Sequence, residues 1–352
     1  MNDTWMPHGG GAVPPAWRRT VRATMAAVVL GASAAAAAAA APPDVFRGIC
    51  NASAGVALDA ARFIVADDEK SVMKVYRFDG APAIGKDGKT QDIDLEKHLG
   101  DGEADLEGAT LVGDTLWLIA SHGAAADGSP APDRRVLLAL RLRPAPKGPG
   151  ADKVAPVASV VGQPYRRLLE DLAGTLAERE FHLADAALIA PKAEGGLSIE
   201  GLAATPNGWL LIGLRNPVRN GKAVLLQLEN PADVVQGKRA RFGPPIPLDL
   251  GGKGIRSIER RGTDYFIVAG PTGPGKDFGV YRWSGQVAAA PTPLTVPALE
   301  GLNPEALFFD HAGTMHILSD DGKDQPGGIK CKKLAKEQRQ FRHIAVPAAG
   351  YR

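Results

Sequence analysis

The chain has 352 residues and 45% hydrophobic content, which excludes a disordered protein and leaves room for one large domain or two ordinary ones. Its formal net charge is +2. Residues 1–41 carry three arginines and one aspartate, so the remainder balances 38 Lys and Arg against 38 Asp and Glu, which speaks against nucleic acid as a partner.

Arg18, Arg19 and Arg22 precede the uncharged run "ATMAAVVLGASAAAAAAAA". A basic start, an apolar stretch and closing small residues are the layout of an export signal. The run is alanine-dominated and weakly apolar, unlike a span of about 20 strongly apolar residues. Residues 1–41 are therefore expected to be a signal peptide cleaved near Ala41, with a membrane anchor as the alternative. "RRTVR" lacks the apolar pair that follows a twin-arginine signal, which favours ordinary secretion. A periplasmic or secreted protein with no further membrane span is expected.

Residues 42–352 read as one domain built on a repeat. Five copies of one unit occur: "NASAGVALDAARFIVADDE", "DLEGATLVGDTLWLIASHG", "SIEGLAATPNGWLLIGLRN", "SIERRGTDYFIVAGP" and "NPEALFFDHAGTMHILSDDG". Each has a polar start, a short apolar strand, a turn, a second apolar strand and a polar exit. Ser53 to Asp67, Glu107 to Ser121 and Glu305 to Ser319 each span 14 positions, and the shorter fourth copy is aligned on Glu259. A third strand follows each copy, in "VMKVYRF", "RVLLALRLR", "AVLLQLE", "FGVYRW" and less clearly "GIKCKKL". A fourth apolar segment follows in "QDIDLEKHL", "PIPLDLG" and "PTPLTVPAL". Four strands per repeat predict an all-β propeller of four-stranded blades, each burying both faces against its neighbours.

The interval of 93 residues between Glu107 and Glu200 is too long for one blade. Leu168, Leu169, Leu172 and Leu176 fall at helical spacing within it, which predicts a helical insertion over about 163–195. Five blades is the reading, with a sixth hidden in this interval as the alternative.

The two cysteines, Cys50 and Cys331, lie near the two ends of this domain. The segment "DVFRGIC" is expected to pair as the outer strand of the last blade, and a disulfide there would lock the ring in an oxidising compartment, two unrelated buried thiols being the alternative. A single ring closed in this way is expected to be a monomer.

In a propeller the start of the innermost strand and the exit of the second share one face. Glu107, Glu200, Glu259 and Glu305 are thus expected to ring one channel mouth, surrounded by Asp67, Asp68, Ser121, His122, Arg215, Asn216, Asp320 and Asp321. Clustered carboxylates repel, and three arrangements relieve this. A Ca²⁺ ion takes six to eight oxygen ligands, arginines such as Arg215 and Arg256 form ion pairs, and carboxylates can be protonated. A repeated glutamate that only caps backbone N–H groups between blades is the structural alternative. His122 is placed to move protons, or is a solvated loop histidine.

"GAPAIGKD" and "GPTGPGKD" look like phosphate-binding loops, but Asp87 and Asp277 replace the Mg²⁺-binding hydroxyl and strands follow. No nucleophile elbow, H-E-x-x-H helix or C-x-x-C pair occurs.

The motifs "GICNASAGVAL", "FIVADDE", "EADLEG", "SHG", "LSIEGLAA", "LRNP", "GIRSIE", "NPEALFF" and "SDDG" resemble a bacterial family catalogued as domain of unknown function 3616, from about Phe46 to Arg342. The resemblance implies a β-propeller and carries no catalytic residues with it. The "x-E-G-L" blade start is also similar to phytase-like esterase propellers, whose relatives bind calcium and cleave phosphate esters. That likeness implies a Ca²⁺-dependent phosphoesterase with Glu107, Glu200 and Glu305 as ligands, Arg215 and Arg256 as phosphate clamps and His122 as the proton carrier. A lactonase-like metal hydrolase would use the same ring. The alternative is a non-catalytic propeller binding a small anionic ligand, a glycan or a protein on that face.

Overall fold

Asp44–Arg47 forms β1, and in the computed structural model, which describes residues 42–67, 70–84, 89–100, 102–143 and 157–351, the first sequence copy follows it directly. The signal-peptide segment 1–41 lies outside the described residues. Blade 1 comprises β2 (Ala52–Ala57), β3 (Arg62–Asp67), β4 (Val72–Arg77) and β5 (Ile93–Asp94). Blade 2 comprises β6 (Leu106–Val112), β7 (Thr115–Ala120), β8 (Leu137–Arg143) and β9 (Val157–Val160). Blade 3 has β10 (Ser198–Ala204), β11 (Leu210–Arg219), β12 (Lys222–Leu228) and β13 (Ile246–Leu248). Blade 4 has β14 (Gly254–Arg261), β15 (Asp264–Gly270), β16 (Gly279–Trp283) and β17 (Thr292–Leu294). Blade 5 is built from β18 (Pro304–Phe309), β19 (Met315–Ser319), β20 (Gln340–Val346) and β1.

All five sheets are four-stranded and antiparallel along the strand order. The inner strands touch in the order β2, β6, β10, β14, β18, and β18 returns to β2. The six-blade alternative is thereby excluded. Strands buried on both faces, such as β3 and β10 at every position, are what blade-on-blade packing demands. Two of the inner strands carry a glycine where the next blade presses closest. A Cβ on Gly108 would meet Leu202 Cβ at 2.9 Å, and one on Gly201 would meet Ile255 Cγ2 at 2.9 Å. The repeated E-G pair is therefore in part a packing requirement.

The ring closes as expected, with β1 pairing β20 in the register Phe46 to Phe341. Cys50 and Cys331 are disulfide-bonded with Cα atoms 6.0 Å apart. The third strand of blade 5 is "QFRHIAV" of β20, not "GIKCKKL". Cys331–Lys333 is a 3-10 turn whose Cys331 N–H is bound by the Gly322 carbonyl, which pins the segment beside the loop instead of the sheet.

The insertion carries three short helices, α1 (Leu168–Asp171), α2 (Leu176–Phe181) and α3 (Leu183–Ala186). Leu168, Leu169, Leu172 and Leu183 pack with Trp117 of blade 2 and Leu210 of blade 3 in one cluster, whereas Leu176 is exposed. The segment thus fills the wedge between two blades. Among the described residues no helix is long and apolar enough to cross a membrane.

Candidate ligand cavity at the channel mouth

Near its start, every inner strand has a register shift that isolates one residue: Ser53 in β2, Glu107 in β6, Glu200 in β10, Arg256 in β14 and Glu305 in β18. A bulge at this point re-aims the extra side chain. The ring position is therefore Ser, Glu, Glu, Arg, Glu in blade order. Arg256, not Glu259, represents blade 4, and Glu259 lies three residues further along β14 toward the hairpin turn. Counting 14 positions back from Gly270, the spacing shared by three other copies, lands on Arg256.

This exchange decides the electrostatics. Arg256 Nε lies 2.9 Å from Glu200 Oε2 of blade 3, and its Nη2 contacts Glu305 Oε1 of blade 5. Arg215, just past the bulge partner in β11, places Nη1 3.0 Å from Glu200 Oε1. Arg215 also donates to the Pro271 carbonyl at 3.2 Å and the Gly273 carbonyl at 3.3 Å. All four charged groups are buried, with 3% of Glu200 and 5% of Arg256 exposed. Burial alone would raise the Glu200 carboxyl, but Arg256 and Arg215 outweigh it and hold it below the usual range. Ser198 adds a hydroxyl donor at 3.2 Å. The blade 1 residue Ser53 donates instead to the Leu106 carbonyl of blade 2, which is the inter-blade capping role.

Above this network lies a cavity of about 310 Å³. It is lined by the carboxylates Glu103, Asp105, Glu107, Glu200, Glu305 and Asp320 and by the cations Arg134, Lys192, Arg215 and Lys323. Arg134 bridges Glu103 at 2.6 Å and Asp105 at 3.0 Å. Burial pushes the Asp105 and Asp320 carboxyls up, against the pull of Arg134 on the first and of Arg256 and Lys192 on the second. Lys192 comes from the end of the insertion, where Asn216 Nδ2 holds the Pro191 and Ala193 carbonyls at 3.1 and 2.7 Å. Neither Lys192 nor Lys323 has an ion-pair partner among the described residues. Burial, then Arg215, Lys323 and Arg256, push the Lys192 ammonium down.

The remaining expected site residues go elsewhere. Asp321 chelates Arg342 through Oδ1 to Nη2 at 2.6 Å and Oδ2 to Nε at 2.9 Å, and so ties the exit of β19 to β20. Asp67 is buried at the end of β3 and does not line the cavity. Asp68 lies outside the described residues. His122 is fully buried with a left-handed φ of 57°. Its Nδ1 donates to the Ala120 carbonyl at 2.8 Å, its Nε2 has no partner among the described residues, and burial lowers its pKa to about 4. A histidine so enclosed does not line the cavity and is held neutral. Sequence reasoning missed Glu103, Asp105, Arg134, Lys192 and Lys323. The polar residues two places before four of the five ring positions, Asn51, Asp105, Ser198 and Asn303, were the signal for part of that set.

Calcium held by Glu107, Glu200 and Glu305 does not fit this arrangement. Among the described residues no three carboxylate, imidazole or thiol groups are placed as a metal-ligand set, and Glu200 already spends both oxygens on guanidinium groups.

The fold and the cavity define a disulfide-closed five-bladed propeller with a charged pocket at one end of its channel. The chain belongs to the family described as "Protein of unknown function (DUF3616)", whose sequence profile matches residues 163–341. No curated protein matches it. Among solved structures it is similar to a glutaminyl cyclase from Myxococcus xanthus, at 11% identity and TM-score 0.42, over 86% of this chain and 94% of that one. It is also similar to a gluconolactonase from Xanthomonas campestris, at 13% identity and TM-score 0.38, over 88% and 81%. For YCF48 bound to a D1 peptide the values are 12% and 0.33, over 80% of this chain and 65% of that one, so the chain spans less than two thirds of YCF48. Likeness at this level carries no argument about activity.

Proposed function

We propose that the protein binds a small molecule bearing an anionic group at this channel mouth, in the periplasm or outside the cell. The observation that carries the reading is the pair Lys192 and Lys323, which line the cavity with no ion-pair partner among the described residues. Arg215 and Arg256 are engaged by carboxylates, so they shape the pocket floor while the two lysines are left to meet a ligand's phosphate or carboxylate. The carboxylates that share the lining suit hydroxyl or ammonium groups on the same molecule. Calorimetric titration with inorganic phosphate and with malonate tests this. Binding is expected, and Lys192→Ala should weaken it by about tenfold or more, the loss of one charge-assisted hydrogen bond. No binding of either anion, or equal binding by the variant, would overturn the reading.

A hydrolase acting at the same mouth is the second reading. It is favoured by Asp105 and Asp320, two cavity carboxyls that burial pushes up, since a carboxyl that keeps its proton longer can serve as a general acid. Turnover of phosphomonoesters or lactones, abolished by Asp320→Asn, is the result it requires.

A further inference from the structure

Glu259 stands at the other end of the channel. The ends of β2, β6, β14 and β18 surround a recess of about 200 Å³, walled by Val56, Leu111, Phe308 and Phe309 beside Glu259 and Asp310. Three residues after the ring position, the other blades carry Val56, Thr110, Ala203 and Phe308. A carboxyl here is therefore no requirement of the repeat. It is also poorly served: among the described residues it is engaged by the backbone N–H of Arg260 and, more weakly, by the charge of the Arg260 side chain. Arg260 itself donates to the Ala204 and Gly262 carbonyls at 2.9 and 2.8 Å.

The neighbouring charges are accounted for. Asp310 accepts the Thr314 N–H at 2.7 Å and lies 3.4 Å from His316 Nε2. Arg261 donates to the Gly313 carbonyl and lies over the Phe309 ring at 5.1 Å. His311 is exposed at the rim. That leaves Glu259 with no ion-pair partner among the described residues, only the charge of the adjacent Arg260 acting on it, in a recess with apolar and aromatic walls.

We propose that this recess is a second binding site, for an organic ammonium cation with an apolar body. Glu259 would supply the counter-charge, and the wall of Val56, Ala57 and Leu111 would cover the body. Burial raises the Glu259 pKa to about 8, so the group is mostly protonated at neutral pH. Binding a fixed cation then ionises it and releases its proton to solvent.

The test is titration of the purified protein with benzyltrimethylammonium, whose charge does not change with pH. Affinity should rise by about tenfold per pH unit from pH 6 and level off above about pH 8, the linkage of one released proton. Glu259→Gln, an isostere of the protonated acid, should fold normally, lose that pH dependence and bind at least about tenfold more weakly at pH 8.5. No binding of the probe, unchanged binding by Glu259→Gln, or affinity that falls as pH rises would each overturn the proposal. The last would mark the recess as a site for a neutral acceptor held by the protonated acid.

Discussion

Arg256 Nε and Glu200 Oε2 lie 2.9 Å apart although they belong to different blades. Arg256 also contacts Glu305 of the blade on its other side, so one guanidinium joins the ring positions of three consecutive blades. The repulsion expected between Glu200 and Glu305 is relieved by a cation in their own series, while Glu107 still stands next to Glu200 in ring order.

Removing the arginine should leave two buried carboxylates facing each other. Arg256→Met is expected to lower stability by about 3 to 5 kcal/mol, the usual effect of stripping one partner from a buried pair. Urea unfolding measures it. A loss under about 1 kcal/mol would mean that the pairing is incidental.

Calcium offers a direct check on the misfit of the metal reading. Addition of about 10 mM calcium, above the about 0.1 to 1 mM dissociation constants of extracellular calcium modules, should leave the melting temperature unchanged. Chelator should do the same. A rise of more than about 2 °C with calcium would restore a metal site.

Much of this was legible beforehand, for physical reasons. The propeller shows because both faces of each blade are buried, so the apolar strands recur five times, and the terminal strand and cysteines announce closure. Glu107, Glu200 and Glu305 were locatable because a bulge residue keeps a fixed place before its hairpin. Arg256 was hidden since a reader following glutamates passes over an arginine at the same register. Lys192 reaches the cavity from the insertion, which has no repeat to index it, and Asp321 finds Arg342 across 21 residues of irregular chain. The enclosure of His122 depends on a left-handed backbone turn that no local pattern marks.

Acid should destabilise the protein through its buried histidines: burial lowers His122 and His343 to about 4 each, and His316 below its ordinary value. His122 titrates at about 4 in the fold against an ordinary 6.5. Between those values the unfolded chain takes up a proton that the folded chain refuses, so stability is full above pH 6.5 and falls as pH drops toward 4. The span corresponds to on the order of 3 kcal/mol. Glu200, whose carboxyl is held down, adds a further loss only at lower pH, as its own proton arrives. His122→Asn tolerates the left-handed backbone and should make the decline between pH 6.5 and 4.5 shallower, the share due to His343 remaining. An unchanged slope would show that the proton is taken up elsewhere.

Reduction should act through the ring closure. Cys50 and Cys331 are 281 positions apart, so their bond confines nearly the whole unfolded domain, worth on the order of 5 kcal/mol in the chain-entropy account. The Cys50→Ser, Cys331→Ser pair is expected to unfold at distinctly lower urea. Two free thiols by mass spectrometry of non-reduced protein would reject the bond itself.

Gly254 tests whether the arginine network depends on backbone packing as well as on charge. A Cβ there would stand 1.8 Å from the Arg215 carbonyl oxygen, closer than any contact a side chain can keep. The start of β14 and the exit of β11 must therefore separate in Gly254→Ala, and this draws Arg215 away from Glu200 while Arg256, two residues along the same strand, is displaced with it. Overpacking of this kind costs about 1 to 3 kcal/mol on its own, and the loosened ion pairs add to it. The expected signature is a stability loss larger than that of Arg215→Ala, because two guanidiniums shift instead of one. A loss smaller than that of Arg215→Ala would show that the strands yield without disturbing the pairs, and that charge alone holds the mouth together.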